Sequence, residues 1–241
     1  MVGAAVVASL LLHELAHMAF VRAFGGRVSG LRISFLGAVA WVRGLERLRA
    51  WQRYTIYLAG PFVNALIALG AWAAARFLYA TPEFLWDLFL YNVVLCAFNL
   101  LPVLPLDGGR LVQLFLGNRM GVLRANRLLL KAGPVMGVVL MGLGFVQAVL
   151  YPWNITLLCA GAYIRRKNKQ LPTTLYWECI KALGRKRCKN LPVKTINLPR
   201  AITVKQAVEY LPWDYIAELQ VEGVGSISEQ ELLEMLITDT L

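Results

Sequence analysis

The apolar residues of this chain are concentrated in five stretches, and this clustering constrains the fold more than any other feature. The stretches cover roughly residues 2–21, 54–80, 84–104, 132–150 and 151–164. A membrane-spanning helix needs about 20 mostly apolar residues, with a range of about 17–25. The last stretch is short, but it lies between an aromatic turn and a basic stop signal. We therefore expect a mainly α-helical, polytopic membrane protein with five spans.

The positions of the basic residues support this topology. Of the 25 Lys and Arg residues, seven lie in 22–53, five in 105–131 and twelve after residue 164. Five crossings place these three regions on the same side of the membrane, and basic loops face the cytoplasm. We therefore expect a protein of the cell membrane with a cytoplasmic C-terminal tail. The formal net charge of +11 then reflects topology, and we expect no nucleic-acid partner.

The N-terminus does not fit a five-span topology well. With the tail inside, Met1 would face the outside, and the first apolar stretch begins without a charged segment. It also lacks the small-residue cleavage site of a signal peptide. We expect that a further span precedes it in the native protein.

Two segments between the spans have their own patterns. Residues 27–42 are rich in β-branched and aromatic side chains, with glycines at turn-like intervals, which predicts a short β-hairpin or re-entrant sheet. Residues 108–130 interleave Leu and Val with Arg, which predicts amphipathic interfacial helices.

The composition changes near residue 190. Residues 1–189 carry 22 basic and 6 acidic side chains, whereas 190–241 carry 3 basic and 8 acidic. The pattern after this point predicts a small α/β module: its strands are 193–198, 216–221 and 226–228, and its helices are 204–211 and 229–237, capped by Thr203 and Ser228. A module of about 50 residues is marginal alone, so we expect it to pair with a second copy or dock on a partner. The expected domains are 1–165 in the membrane, a basic cytoplasmic linker 166–189 and the module 190–241.

Two histidines lie one helical turn apart inside the first apolar stretch. The sequence from His13 to His17 is an H-E-x-x-H motif and contains both histidines of the chain. On a helix the two imidazoles share a face and can ligate one zinc ion, with Glu14 beside them to take a proton from water. The alternative is a chance match. However, an ionisable residue in mid-bilayer costs roughly 2.5–3.5 kcal/mol, and metal coordination offsets that cost.

A third ligand must come from elsewhere, and few carboxylates lie near the spans. Glu83 and Asp87 sit at the outer end of a span, where a solvated helix end is the simpler interpretation. Asp107 follows two prolines that break the third span and precedes Gly108 and Gly109, which permit close backbone approach. Asp107 could instead cap the helix that follows, or serve both roles. We favour it as the third ligand.

Three motifs together resemble the site-2 protease family of intramembrane zinc metalloproteases. They are the H-E-x-x-H motif, Ala59-Gly60-Pro61-Phe62-Val63-Asn64, and the stretch from Asn99 to Arg110 that contains Pro-Leu-Asp-Gly-Gly. The resemblance covers about residues 1–165. It implies that one zinc ion is held by His13, His17 and Asp107, with Glu14 as the general base. It also implies that Asn99 positions the substrate or the catalytic region, and Asn64 is grouped with it without a more specific role.

The acidic tail is similar to one cystathionine-β-synthase (CBS) repeat, and this combination resembles the sporulation branch of the family. That resemblance implies regulated proteolysis of a pro-sigma factor, membrane inhibitor or regulator proteins as partners, and ATP sensing by the module. The tail has room for one repeat only, so nucleotide binding would require two chains to pair. The first span of the family is missing from this chain, as the topology also suggests.

Other functions stay open at this point. A site-2 protease of another branch would cleave an anti-sigma factor or another transmembrane signalling protein. A catalytically inactive regulator would lack a required group, and none is missing. A transporter with a transmembrane metal site would show several ionisable residues across its bundle and repeated half-helices. In this chain the ionisable residues of the spans converge on one site, and this favours a protease over a transporter.

Overall fold

The computed structural model describes residues 2–34, 37–43, 45, 48–77, 82–150, 155–184, 191–212 and 214–238. The described part is mainly helical with two small sheets. Its elements in chain order are α1 (Val2–Ala23), β1 (Arg27–Ser34), β2 (Gly37–Arg43), α2 (Ala50–Phe77), α3 (Pro82–Asn99), α4 (Asp107–Met120), α5 (Val122–Leu150), α6 (Thr156–Gly184), β3 (Val193–Leu198), α7 (Val204–Val208), β4 (Ile216–Val221), β5 (Gly225–Ser228) and α8 (Glu229–Thr238).

The chain divides into two compact units. Unit 1 comprises residues 1–102 and 106–111, and unit 2 comprises 103–105 and 112–241. In unit 1, helix α2 packs against both α1 and α3. An apolar cluster of Val21, Leu48 and Ile56 joins the end of α1 to the start of α2.

The predicted hairpin between the first two spans is confirmed. Strands β1 and β2 pair antiparallel from Arg27 opposite Arg43 to Ser34 opposite Gly37. The register shifts between Val28 and Gly30, and such a bulge sharpens the local twist of a short two-stranded ribbon.

The predicted break after the third apolar stretch is also confirmed. Helix α3 ends at Asn99, and a loop with Pro102 and Pro105 leads to α4, which begins at Asp107. A Cβ atom on Gly108 would collide with the carbonyl oxygens of Leu100 and Leu101. Glycine therefore lets the loop lie directly against the first turn of α4, and this fixes where Asp107 begins its helix.

In unit 2, helices α5 and α6 pack closely through small residues. A Cβ atom on Gly137 would lie 3.0 Å from the Gly161 carbonyl oxygen, and one on Gly144 would lie 2.5 Å from the Leu158 nitrogen. Small residues let helix backbones approach in this way where lipid supplies no hydrophobic driving force. Helix α6 continues to Gly184, through much of the segment predicted as a linker, and the rest of that segment lies outside the described residues.

Residues 191–238, called the C-terminal module below, contain the predicted strands and helices in the predicted order. Strand β4 is central, parallel to β3 and antiparallel to β5. Both predicted caps are present: the Thr203 hydroxyl accepts from the Gln206 nitrogen, and Ser228 does the same for Glu231. The buried core is apolar, and consists of Leu198, Ala207, Val208, Leu211, Ala217, Leu219, Val221 and Leu232.

The C-terminal module packs on the turn between α4 and α5. Gly121 has a φ of +96°, which glycine adopts at little cost, and a Cβ atom there would collide with the Glu209 carbonyl oxygen. The Val122 nitrogen donates to the Leu211 carbonyl at 3.0 Å. Asn118 and Asp214 exchange two hydrogen bonds of 2.8 and 3.1 Å. The module thus has a partner surface within its own chain.

Three described helices are long and apolar enough to cross a membrane: Gly3–Ala23, Ala50–Phe77 and Val122–Leu150. They correspond to three of the five predicted spans. Predicted spans 84–104 and 151–164 are not confirmed, because α3 carries two acidic residues and two asparagines, and α6 becomes basic after Ile164. The aromatic turn predicted at 151–153 lies outside the described residues.

The surfaces of these helices are apolar, as lipid contact requires. Phe62 and Leu69 on α2 are 61% and 59% exposed, and Phe145 on α5 is 66% exposed. In a water-soluble protein so many large exposed apolar side chains would form an unusually extensive patch. The composition, these surfaces and the three helices together indicate an integral membrane protein.

Candidate metal centre

The two histidines of the H-E-x-x-H motif lie on one face of α1, near the middle of an apolar helix. The His13 side chain is 3% exposed and the His17 side chain 14%. Their rings meet edge to face, with centroids 4.8 Å apart and Nε2 atoms 3.1 Å apart. Residues four apart on a helix lie one above the other, so the local fold alone brings these two nitrogens together.

Asp107, the first residue of α4, supplies the third atom. Its Oδ2 lies 3.2 Å from Nε2 of His13 and 3.2 Å from Nε2 of His17. We call these three residues the metal centre. The loop before α4 places Asp107 there, although 90 residues separate it from His17. The structure therefore brings together the three side chains predicted as ligands, and their role as ligands stays a prediction.

The donor set fits zinc. Two imidazole nitrogens and one carboxylate oxygen are ligands that zinc accepts, and three protein ligands are typical of a catalytic site. With bonds of about 2.0–2.2 Å in tetrahedral geometry, adjacent ligand atoms lie about 3.3–3.5 Å apart. The three separations in this centre, 3.1, 3.2 and 3.2 Å, come close to that spacing.

Each imidazole also has a contact on its outer nitrogen. Nδ1 of His17 lies 2.6 Å from the carbonyl oxygen of Ile56. Nδ1 of His13 lies 3.2 Å from Nδ2 of Asn64, which is fully buried. Such outer contacts orient metal-bound histidines. Helix α2 supplies both, so this helix holds the two rings in place.

Gly60 belongs to the Ala59–Asn64 motif, but the sequence alone predicts no role for it. It lies on α2 between Ile56 and Asn64, and a Cβ atom on it would collide with Nε2 of both His13 and His17. Any other side chain would therefore occupy the space in front of the two Nε2 atoms. The Ala-Gly-Pro motif contains this glycine, but only the packing of α1 on α2 shows that it lets the two imidazoles lie against α2.

The remaining predicted residues lie at different distances from the centre. Glu14 is half-buried on α1 and directly follows His13. Asn99 ends α3, and its Nδ2 donates to the Leu95 carbonyl at 3.1 Å. The structure therefore places Glu14 beside the ligands, whereas the contact described for Asn99 is within its own helix.

Apolar helices suited to a bilayer, together with a His-His-Asp cluster in which His13 is buried and an adjacent glutamate, define the class as a membrane protein with a candidate metal centre. The family model for Peptidase family M50 matches residues 1–84 and 78–140, more than half of the chain. The chain belongs to Peptidase family M50, the site-2 protease family.

Three known proteins illustrate the relationship. The chain is 37% identical over 150 residues to Rip3 of Mycobacterium tuberculosis, whose name includes the words zinc metalloprotease, with 59% of the chain and 38% of that protein covered. It is 29% identical over 123 residues to stage IV sporulation protein FB of Bacillus subtilis, with 51% of the chain and 42% of that protein covered. The chain thus spans well under half the length of these relatives.

The fold has a counterpart among solved structures. The site-2 protease from Methanocaldococcus jannaschii matches with a TM-score of 0.56 at 24% identity, over 69% of the chain and 74% of that protein. This likeness confirms a fold like that of site-2 proteases.

Proposed function

We propose that this protein is an intramembrane zinc metalloendopeptidase that hydrolyses peptide bonds of a membrane-associated protein. One observation carries the proposal: Nε2 of His13, Nε2 of His17 and Oδ2 of Asp107 converge within 3.2 Å of one another inside a bundle of apolar helices. Membership in a peptidase family supports the choice of reaction.

The side chains would divide the work as follows. His13, His17 and Asp107 would hold the zinc ion. When bound, zinc supplies a Lewis acid that polarises a carbonyl group and makes water acidic enough to lose a proton near neutral pH. Glu14 would accept that proton and return it to the leaving amine. The half-buried position of Glu14 beside the two imidazoles suits this role.

The substrate must present an extended segment, since a membrane helix satisfies its own backbone and hides its peptide bonds. The β1–β2 hairpin offers strand edges to which an extended segment could add. Proline substitutions in these strands should therefore slow cleavage while zinc stays bound. Unchanged cleavage would exclude the hairpin as the docking edge.

The Glu14→Gln variant tests the reaction most directly. Glutamine keeps the size of the side chain but cannot accept a proton, so zinc should stay bound while cleavage is lost. The Asp107→Ala variant should lose both zinc and cleavage, and Asp87→Ala, on the exposed start of α3, is the matched carboxylate control. Cleavage by Glu14→Gln at the wild-type rate would rule out Glu14 as the base.

A pro-sigma factor processed during sporulation is the substrate we propose first, and similarity to stage IV sporulation protein FB supports it. An anti-sigma factor is the alternative from the same class. Co-expression with both kinds of substrate, with and without chelator, separates them. Chelator-sensitive cleavage of anti-sigma factors alone would overturn the sporulation assignment. Oligomerisation through the C-terminal module and a membrane inhibitor or regulator as partner remain predictions.

We also propose that α3 and α6 cross the membrane and that the C-terminal module is a cytoplasmic, CBS-like unit. The order β3-α7-β4-β5-α8 supports the module assignment, and the basic residues of α4 to α6 support the sidedness. Domain limits of 1–165, 166–189 and 190–241 remain predictions, as does ATP binding. Reporter fusions at residues 81, 153 and 241 test the topology, and an external signal at 241 would contradict it.

A further inference from the structure

The two histidines of the metal centre differ in what holds their outer nitrogens. On both rings Nε2 faces Asp107, and Nδ1 faces α2. We propose that Asn64 is a positioning residue that accepts the Nδ1–H of His13 through Oδ1 and so keeps the Nε2 lone pair on the metal. This inference rests on the proposed function, because it assumes that the centre binds zinc.

Proton counting leads to this assignment. A neutral imidazole carries one N–H, and a ligand nitrogen must present a lone pair. If Nε2 of each histidine is the ligand, Nδ1 of each must be the donor. On His17 that donor meets the Ile56 carbonyl, which can only accept. On His13 the donor meets the Asn64 side chain, so the amide must present an acceptor there.

The amide of Asn64 can do so by exchanging its two ends. Its Nδ2 lies 3.2 Å from Nδ1 of His13, and among the described residues its Oδ1 is buried without a hydrogen-bond partner. The two ends are nearly isosteric, so a half-turn about the last side-chain bond places Oδ1 against Nδ1 without repacking. Unlike aspartate or leucine, asparagine serves both proton arrangements of His13: it donates when Nδ1 is bare and accepts when Nδ1 is protonated.

Burial makes this contact consequential. Asn64 is 0% exposed and His13 2% exposed, so water cannot readily replace the amide. A ring without an outer partner loses both its orientation and its preferred tautomer. Removal of such outer partners typically weakens metal binding by about 10–100-fold.

The test measures zinc affinity of the full chain in detergent, by competition with a chromophoric chelator. Asn64→Leu removes the acceptor at similar volume, and we expect its zinc dissociation constant to rise by about 10–100-fold. Asn64→Asp keeps an acceptor, and its affinity should stay within roughly threefold of wild type or improve. The absorption of bound cobalt(II), which reports ligand geometry, should change in Asn64→Leu and stay unchanged in Asn64→Asp.

Asn92 provides the matched control. It is also 0% exposed, its Oδ1 also has no partner among the described residues, and its Nδ2 donates to Ser9 Oγ at 3.0 Å. The Asn92→Leu variant removes an equally buried amide from unit 1 without touching a histidine. Its zinc affinity and cobalt spectrum should match the wild type even if the protein is less stable.

Three outcomes overturn the inference. The first two are unchanged zinc affinity in Asn64→Leu, and an Asn64→Asp variant that binds zinc as weakly as Asn64→Leu. A loss of affinity in Asn92→Leu equal to that in Asn64→Leu also overturns it, since the effect would then be general destabilisation. If the variants show the expected order of zinc affinities but the wild-type protein cleaves no substrate, the protease proposal is refuted and this inference stands. If the wild-type protein cleaves substrate but substitutions of Asn64 leave zinc affinity unchanged, this inference is refuted and the protease proposal stands.

Discussion

The metal-centre region buries several polar side chains, whereas the core of the C-terminal module is apolar. Around the metal centre, the most buried side chains include Ser9, His13, Asn64 and Asn92, while large apolar side chains of the same helices point outward. In the module the buried set is apolar, and acidic and amide side chains of β4 such as Glu218 are exposed. One chain therefore contains two regions that differ in how many polar side chains they bury and how many large apolar side chains they expose.

The difference follows from the solvent around each region. Exposure of a leucine to lipid costs no free energy, whereas exposure of an amide or imidazole costs several kcal/mol. Polar groups of a membrane protein therefore lie inside the bundle and form hydrogen bonds there. Water reverses that preference and drives Leu219 and its neighbours into a core. The polar interior of the first region is then available for chemistry, whereas the apolar interior of the module only stabilises.

The largest effect on zinc binding and cleavage is expected at Gly60. A methyl group in Gly60→Ala would collide with Nε2 of both histidines, and Ile56 and Asn64 hold those rings from behind. Zinc binding and cleavage should both be lost, with an overpacking cost of about 1–3 kcal/mol. Gly70→Ala, on the same helix with open space around it, should bind zinc normally. Zinc content after purification measures this, and full occupancy in Gly60→Ala would refute the described packing.

A substitution in the module core should have a large effect on stability but none on zinc binding. Leu219 is fully buried on the central strand, so Leu219→Ala should destabilise the module by about 2–5 kcal/mol. Hydrogen exchange of the β4 amides measures this loss. Val193→Ala, at a site 62% exposed, should have almost no effect. Zinc affinity should be unchanged in both variants, and a parallel loss of zinc would show that the two regions are not energetically separate.

Introducing arginine at an exposed valine of each region compares the two solvents directly. Val139 on α5 is 49% exposed and Val193 on β3 is 62% exposed. Val139→Arg should oppose membrane insertion by roughly 2.5–3.5 kcal/mol, whereas Val193→Arg should stay within about 0.5 kcal/mol. The fraction resistant to alkaline extraction from membranes measures insertion. Equal extraction of the two variants would mean that α5 does not face lipid.

The smallest effect concerns the N-terminus of α8. Glu231 accepts hydrogen bonds from the Ser228 backbone and side chain, which lowers its pKa below the ordinary value of 4.5. A carboxyl group with a depressed folded-state pKa stabilises above its unfolded pKa and loses that contribution as pH falls. Module stability should therefore drop slightly as the pH falls through and below about 4.5. Glu231→Gln should flatten that part of the curve, as denaturation at several pH values can show.

Much of the fold was predictable because local patterns determine it. The hairpin, the break before Asp107 and the strands of the module all follow from periodicity, proline and capping residues. The start of α5 at Val122 and the extension of α6 to Gly184 were not predicted. Residues 122–130 were expected in interfacial helices separate from the span, and residues after 165 in a linker, but they join α5 and α6. Packing of α6 on α5 and of the module on the α4–α5 turn depends on tertiary structure, which local patterns do not show.

The site divides in the same way. The spacing of His13 and His17 follows from one helix, and the glycines after Asp107 indicate a close approach. No local pattern could indicate that Gly60 faces both imidazoles, because that depends on how α2 packs against α1. Nor could the sequence reveal the Ile56 carbonyl as a partner of His17, since every residue carries the same backbone group.

This last contact has a consequence for how the centre can change. The acceptor that holds His17 belongs to the main chain, so no replacement of the Ile56 side chain removes it. The acceptor for His13 is a side chain and is open to any codon change. Side-chain substitutions at these two outer contacts should therefore change metal affinity through His13 only, while the contact of His17 persists as long as α2 remains helical.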